Sequence, residues 1–331
     1  MKGTVTGQAV RFAPRRIGHA NIFVGDLDRS VAFYNRVCGL EEVRREPGIG
    51  AGFLTNGNTH HDVGLMQAMT TPRVGRGGHV QVPHGRGSTP GLNHFGWEME
   101  SEAVLVAAYR RALEVGVAIH RTADHQLAHS VYLFDPDGNL HEFYADTVED
   151  WRTVFNPERE DLVTGQWEPL AQPATETRYY NEQAQLRSVP GARFPSRRIT
   201  HAVLVARDFE AMIAFFTDVA GLKQADEIGT ETVLLRARAS ADFDLALFRT
   251  RDGLPPGMHH IGFEVADEDR LVAAERNREN DTDIELILDR PDKRSVFVRD
   301  PDGIRIEFHA GRAAQRGRIG DAAPALWPYL V

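Results

Sequence analysis

"VYLFDPDGNLHEFY" (131–144) and "VFVRDPDGIRIEFH" (296–309) carry the same Asp-Pro-Asp-Gly turn, each with a Glu four residues beyond the Gly. In both, two short runs rich in β-branched and aromatic residues flank the turn, which reads as a strand–turn–strand unit. Tyr132 in the first copy is answered by Phe297 in the second.

The repetition extends outward from these hairpins. "IGHANIFVGDLDRSVAFYNRVCGL" (17–40) aligns without a gap on "ITHAVLVARDFEAMIAFFTDVAGL" (199–222), with 9 identities in 24 positions. "GLNHFGWEM" (91–99) matches "GMHHIGFEV" (257–265). The blocks fall in the same order in both halves, as a tandem duplication requires. Each half is doubled again inside. A strand, "HANIFV", leads to an Asp that can cap a helix with Val31, Tyr34, Val37 and Cys38 on one face, closed by Gly39. A second strand, "NHFGWEM", precedes the amphipathic "EAVLVAAYRRALEVG". Further strands follow each helix. The expected fold is α+β: tandem βαβββ modules, two per domain, each domain a curled mixed sheet enclosing a metal site. The expected organisation is a catalytic domain (1–146), a packed interdomain segment (147–198), a second domain (199–310) and a C-terminal tail (311–331). "DWRTVFNPEREDL" and "QWEPLAQP" are expected to form short helices. The aromatic tail "APALWPYLV" is expected to pack, mainly as core.

Composition narrows the function classes. The 331 residues are 42% hydrophobic and 26% charged, which suits two ordinary globular domains. A net charge of −9 without a basic stripe argues against nucleic acid as a partner. No apolar run approaches the roughly 18 residues of a membrane span. The start of the chain lacks the apolar stretch of a secretion signal. One cysteine, Cys38, leaves no internal disulfide. The expected location is the cytoplasm, and the packed linker and aromatic tail favour a homo-oligomer.

Histidine and glutamate carry the chemistry. The first half offers His19, His94 and Glu142; the second offers His201, His260 and Glu307 at matching positions. Two imidazoles and a carboxylate on rigid strands make a facial ligand set for a divalent ion with open positions. That set favours Fe(II) where substrate and O₂ must both bind, with Mn(II) as the alternative. Thiolate is absent, which disfavours structural zinc. A lone strand histidine is more often a satisfied core residue, but six such residues at equivalent positions weaken that reading. Descent by duplication leaves the second set weaker evidence than the first.

On these residues the chain resembles the vicinal-oxygen-chelate superfamily, and within it the type I extradiol ring-cleavage dioxygenases. The narrower likeness lies in His125, Val131, Tyr132, Asp135, Pro136, Gly138 and Glu142, which have the shape of the extradiol signature. In "THHDVGLM" (59–66), His61 matches the family's acid–base histidine. The resemblance implies metal ligands His19, His94 and Glu142, with His61, His125 and Tyr132 as catalytic residues acting on a catecholic substrate and O₂. In the second half Phe243, Arg290 and Phe297 fall where His61, His125 and Tyr132 would be, so its chemistry is lost although its three ligand positions remain. This inverts the usual family order, in which the second half is catalytic.

The stretch between "HHDVGLM" and His94 is long and glycine-rich, as a mobile loop over the site would be. Its Arg73, Arg76 and Arg86 are read chiefly as solvated charges, and His79 and His84 as poorer bases than His61. Two rival readings share the scaffold. A glyoxalase- or isomerase-like enzyme would need a fourth protein ligand, for which Gln67 is the nearest candidate. A non-catalytic binding protein would need no triad at all.

Overall fold

The computed structural model describes residues 9–75, 78, 80–155, 164–227, 230–276, 282–313 and 322–331. The first half runs β1 (Arg16–Val24), α1 (Leu27–Arg36), β2 (Glu41–Glu46), β3 (Ala51–Thr55), β4 (Val63–Gln67), β5 (Arg73–Val74), β6 (Val80–Val82), β7 (Gly91–Glu98), α2 (Glu102–Glu114), β8 (Arg121–Asp124), β9 (Ala128–Phe134) and β10 (Leu140–Asp146). The second runs β11 (Ser196–Ala206), α3 (Phe209–Ala214), β12 (Lys223–Glu227), β13 (Thr232–Arg236), β14 (Leu245–Arg249), β15 (Gly257–Val265), α4 (Glu268–Arg276), β16 (Ile284–Asp289), β17 (Lys293–Arg299) and β18 (Arg305–Gly311).

Each half builds one eight-stranded mixed sheet, β2-β3-β4-β1-β7-β10-β9-β8 and β12-β13-β14-β11-β15-β18-β17-β16. In every βαβββ module the first strand pairs in parallel with the last, and the two first strands join the modules antiparallel. The helices form where the sequence marks them. Asp26 accepts from the Arg29 N–H at the start of α1, and Gly39 (φ 75°) ends that turn in the left-handed region. Ser101 caps α2 in the same way.

The DPDG turns act across the halves. Gly138 and Gly303 take φ 88° and 84°, so each turn closes tightly. The second Asp of each turn then reaches the other half. Asp302 accepts the Gly25 N–H at 2.9 Å and the Arg29 guanidinium at 2.9 Å. Asp137 accepts the Arg207 N–H at 2.6 Å and the Asp208 N–H at 3.2 Å. Each hairpin thus holds the first strand–helix turn of its opposite copy. Residues 11–13 cross over as well: the Arg11, Phe12 and Ala13 amides bond the Asp218, Val219 and Ala220 carbonyls, and Phe12 stacks on Phe143. One buried apolar cluster spans both halves.

The connecting segment differs from expectation. Trp151–Thr153 make one 3-10 turn, and 156–163 lie outside the described residues. "QWEPLAQP" forms no helix: Gly165 bridges Asp124 at the edge of β8, and Trp167 stacks on His129 with centroids 4.5 Å apart. An open sheet edge and the half-buried His129 imidazole gave this segment partners that its own weak helical pattern did not. No helix among the described residues is long and apolar enough to cross a membrane.

Candidate metal centre and active site

Strand register brings the first triad together. His19 on β1 and Glu142 on β10 both lie opposite Gly96 of β7, while His94 lies opposite Asn21. A Cβ at Gly96 would stand 2.1 Å from the His19 ring, so only glycine leaves space for that imidazole. The ligand atoms of His19, His94 and Glu142 lie within 4.8 Å of one another. His19 Nε2 is 2.9 Å from Glu142 Oε2. His94 Nε2 is 3.0 Å from the same oxygen, yet has no hydrogen-bond partner of proper geometry. A buried nitrogen without a partner is costly, and a cation between the three groups would satisfy it. The residues present therefore fit a divalent ion.

Electrostatics point the same way. Burial tends to raise the Glu142 carboxyl, but the His19 and His94 imidazoles against it hold it well below the usual carboxylate range. Burial pushes His94 down to about 4, and lowers His19 as well. Two neutral imidazoles and one carboxylate are the protonation states that ligate a metal. Ser130 Oγ donates to Glu142 Oε1 at 2.6 Å and leaves Oε2 to face the histidines.

Around the triad stand the three other residues singled out by sequence. His61 stacks on His19 with centroids 4.0 Å apart. Its Nε2 donates to Asn21 Oδ1 at 3.1 Å, which leaves Nδ1 as the basic nitrogen. A Cβ at Gly64 would overlap Asn21, so that glycine makes room for this support. Burial, then the nearby His19 and His60, push His61 well below its ordinary value. Tyr132 lies opposite Glu142 in the hairpin register, and His125 Nε2 is 2.9 Å from its hydroxyl. Burial drives His125 down to about 4 and Tyr132 well above 10. His61, His94, His125, Tyr132 and Glu142 border one small cavity of about 80 Å³, whose apolar wall includes Ile49, Phe53, Met66 and Val82, and the His19 ring stacks behind His61.

Sequence reasoning missed several neighbours. Asn21 and Ser130 share strand faces with His19 and Tyr132, two residues away, so the period-two pattern held the signal. His60 forms a further three-histidine group with His19 and His61 and reaches Asp146 at 3.3 Å. Arg121, opposite Tyr132 across β8 and β9, lies over the phenol ring at 4.2 Å.

Two loop arginines are not solvated charges. Arg73 is buried and donates to the Gln67 and Gly87 carbonyls. Arg86 borders the cavity, where burial and Arg121 lower its pKa to about 10. The glycine-rich stretch folds back over the cavity and supplies these cations with carbonyl partners, which its composition does not reveal. Arg76 and His79 lie outside the described residues, and His84 is exposed. Gln67 turns to the Leu27 N–H and the Gly25 carbonyl at the start of α1.

The second half repeats the ligand geometry. His201 and Glu307 face Gly262, where a Cβ would stand 2.2 Å from the His201 ring. His201 Nε2 lies 2.9 Å and His260 Nε2 3.3 Å from Glu307 Oε2. Phe243 packs beside His201 with centroids 4.8 Å apart, and Phe297 faces Glu307.

Two curled sheets of paired βαβββ modules around His/His/Glu groups define a vicinal-oxygen-chelate protein. The family model of the Glyoxalase/Bleomycin resistance protein/Dioxygenase superfamily matches residues 16–143 and 198–308, and the chain belongs to that superfamily. Among curated relatives, catechol-2,3-dioxygenase of Bacillus subtilis (strain 168) is 29% identical over 252 residues, covering 75% of this chain and 74% of the relative. Among solved structures, the Mn(II)-bound glyoxalase from Novosphingobium aromaticivorans superposes with a TM-score of 0.63 at 20% identity, over 90% of this chain and 82% of that one. Homoprotocatechuate 2,3-dioxygenase from Arthrobacter globiformis does so with 0.59 at 18% identity, over 95% and 86%.

Proposed function

We propose that the chain is an extradiol dioxygenase that opens a catechol-type ring beside its vicinal diol, using Fe(II), or Mn(II) in its place, and O₂. The observation that carries this reading is the His19, His94 and Glu142 group, two of whose members share one cavity of the first half with His61, His125 and Tyr132. When bound, an open-faced divalent ion acidifies the diol and holds it beside O₂.

The protein's own groups do the rest. His61 Nδ1 accepts the remaining diol proton, and burial keeps this imidazole neutral at physiological pH so that it is ready to do so. Asn21 holds the ring in that tautomer. The Tyr132 hydroxyl, held by His125 Nε2 at 2.9 Å, hydrogen-bonds a substrate oxygen, and the pair stabilises charge that develops on it. Arg86 and Arg121 offset the negative charge of a deprotonated diol and favour a substrate with an acidic ring substituent. The apolar wall excludes water from the ring.

A four-ligand glyoxalase-type enzyme is less well supported, because Gln67 is engaged at α1. The test is anaerobic purification, metal analysis, and a panel of catechols with and without O₂. Yellow ring-opened product that requires Fe(II) or Mn(II) together with O₂ is the expected outcome. Isomerase activity with Zn(II) or Ni(II) and no O₂ consumption would overturn it.

A further inference from the structure

The two triads differ in one charged neighbour. Ala128 and Lys293 occupy equivalent positions at the starts of β9 and β17: the His125 N–H bonds the Ala128 carbonyl, and the Arg290 N–H bonds the Lys293 carbonyl. In the first half, Glu142 Oε1 receives a neutral Ser130 hydroxyl. In the second, Glu307 Oε1 receives both the Ser295 hydroxyl at 2.5 Å and the Lys293 ammonium at 2.7 Å. The Lys293 side chain is 11% exposed and Glu307 is fully buried.

The space before the second triad is also filled. Val331 is buried, and with Trp327 and Leu330 it packs against Val203, Leu234, Phe243 and Phe248. Sheet register makes these the counterparts of Asn21, Phe53, His61 and Met66, which border the cavity of the first half. Arg290, at the place of His125, donates to the Leu330 carbonyl. Tyr329 packs edge-on to His259 and Phe297.

We propose that the second half is a closed, metal-free copy of the first: Lys293 gives Glu307 the positive charge that a divalent ion would otherwise give, and Trp327–Val331 occupy the pocket. A buried carboxylate needs a cationic partner, and here the chain supplies it. A divalent ion beside the ammonium would meet like-charge repulsion. The tail closes the side on which a substrate would sit, whereas a separate cleft of about 550 Å³ on the other side reaches Lys293 and His201, so an ion itself is not shut out by the tail. The inference rests on the first triad being the metal site, and its test separates the two.

Metal per chain is measured by elemental analysis and native mass spectrometry after saturation with Mn(II), with folding followed by circular dichroism. The wild type is expected to hold one ion and Glu142→Ala none. Lys293→Ala, which copies the residue of the first half, is expected to hold two; Lys293→Met gives the same reading with the aliphatic packing retained. Two ions in the wild type, or one ion in both folded Lys293 variants, would overturn the proposal. Retention of the single ion by Glu142→Ala would instead refute the first-half assignment. Loss of that ion together with a second ion in Lys293→Ala supports both.

Discussion

His125 Nε2 stands 2.9 Å from the Tyr132 hydroxyl, and Tyr132 faces the Glu142 carboxylate across the β9–β10 hairpin. The counterparts of the pair, Arg290 and Phe297, offer no such hydroxyl–imidazole contact. If the pair steadies charge on the substrate, Tyr132→Phe will lower kcat by about 10–10³-fold. Metal content will be unchanged, because Tyr132 is no ligand. Steady-state kinetics beside elemental analysis read both quantities.

His61→Phe places the residue of the second half in the first. Metal will be retained, and turnover will fall by about 10²–10⁴-fold, the usual worth of acid–base catalysis. Wild-type rates from this variant would remove His61 from the mechanism.

Gly96→Ala tests the ring–backbone contact. The new methyl meets the His19 imidazole at 2.1 Å, against neighbours that are themselves packed. Metal affinity will drop, with a stability loss of about 1–3 kcal/mol. Gly262→Ala meets His201 at 2.2 Å; it will cost similar stability and leave activity near wild type. Denaturant melts paired with metal titration distinguish the two.

Acid will destabilise the metal-free protein from near neutrality downward. His94 and His125 are held down to about 4 by burial, while the unfolded chain binds these protons near 6.5. Unfolded chains therefore take up more protons between these values, and stability is lost as pH falls from 6.5 toward 4. Glu142, held below its ordinary 4.5, adds a further loss as pH falls below that value. A metal-free His94→Asn variant will show a shallower slope of Tm against pH over 6.5–4, and bound metal will shift the wild-type transition to lower pH.

Arg121→Met will raise KM for catechols with an acidic substituent about tenfold or more, and change it little for unsubstituted catechol. Equal effects on both would assign Arg121 to packing over Tyr132 alone.

Much of the fold was legible because duplication prints the same pattern twice. A β-branched, apolar run, an Asp at 26 or 28 able to cap, and Gly39 marked β1 and α1 before any coordinates, and the cap proved to be Asp26. The triad was legible because His94 and Glu142, 48 residues apart, are answered by His260 and Glu307, 47 apart, within matching sequence blocks. What strand pattern does not encode is contact between distant segments. Asn21 reads as an ordinary strand residue until Gly64 makes room for it. Arg73 and Arg86 read as loop charges until the loop folds back over the cavity. Trp167 reads as helical until the edge of β8 receives Gly165. In each case long-range packing overrode a local signal.

The exchanged grips of Asp137 and Asp302 have a consequence for the molecule's history. Once each copy clasps its twin, neither is easily discarded, since losing one strips the other of an anchor and of shared core. Such a pair is expected to melt in a single transition and to resist dissection into independent pieces. Positions 243, 290 and 297, which carry Phe, Arg and Phe, can then serve the packing of the joined halves.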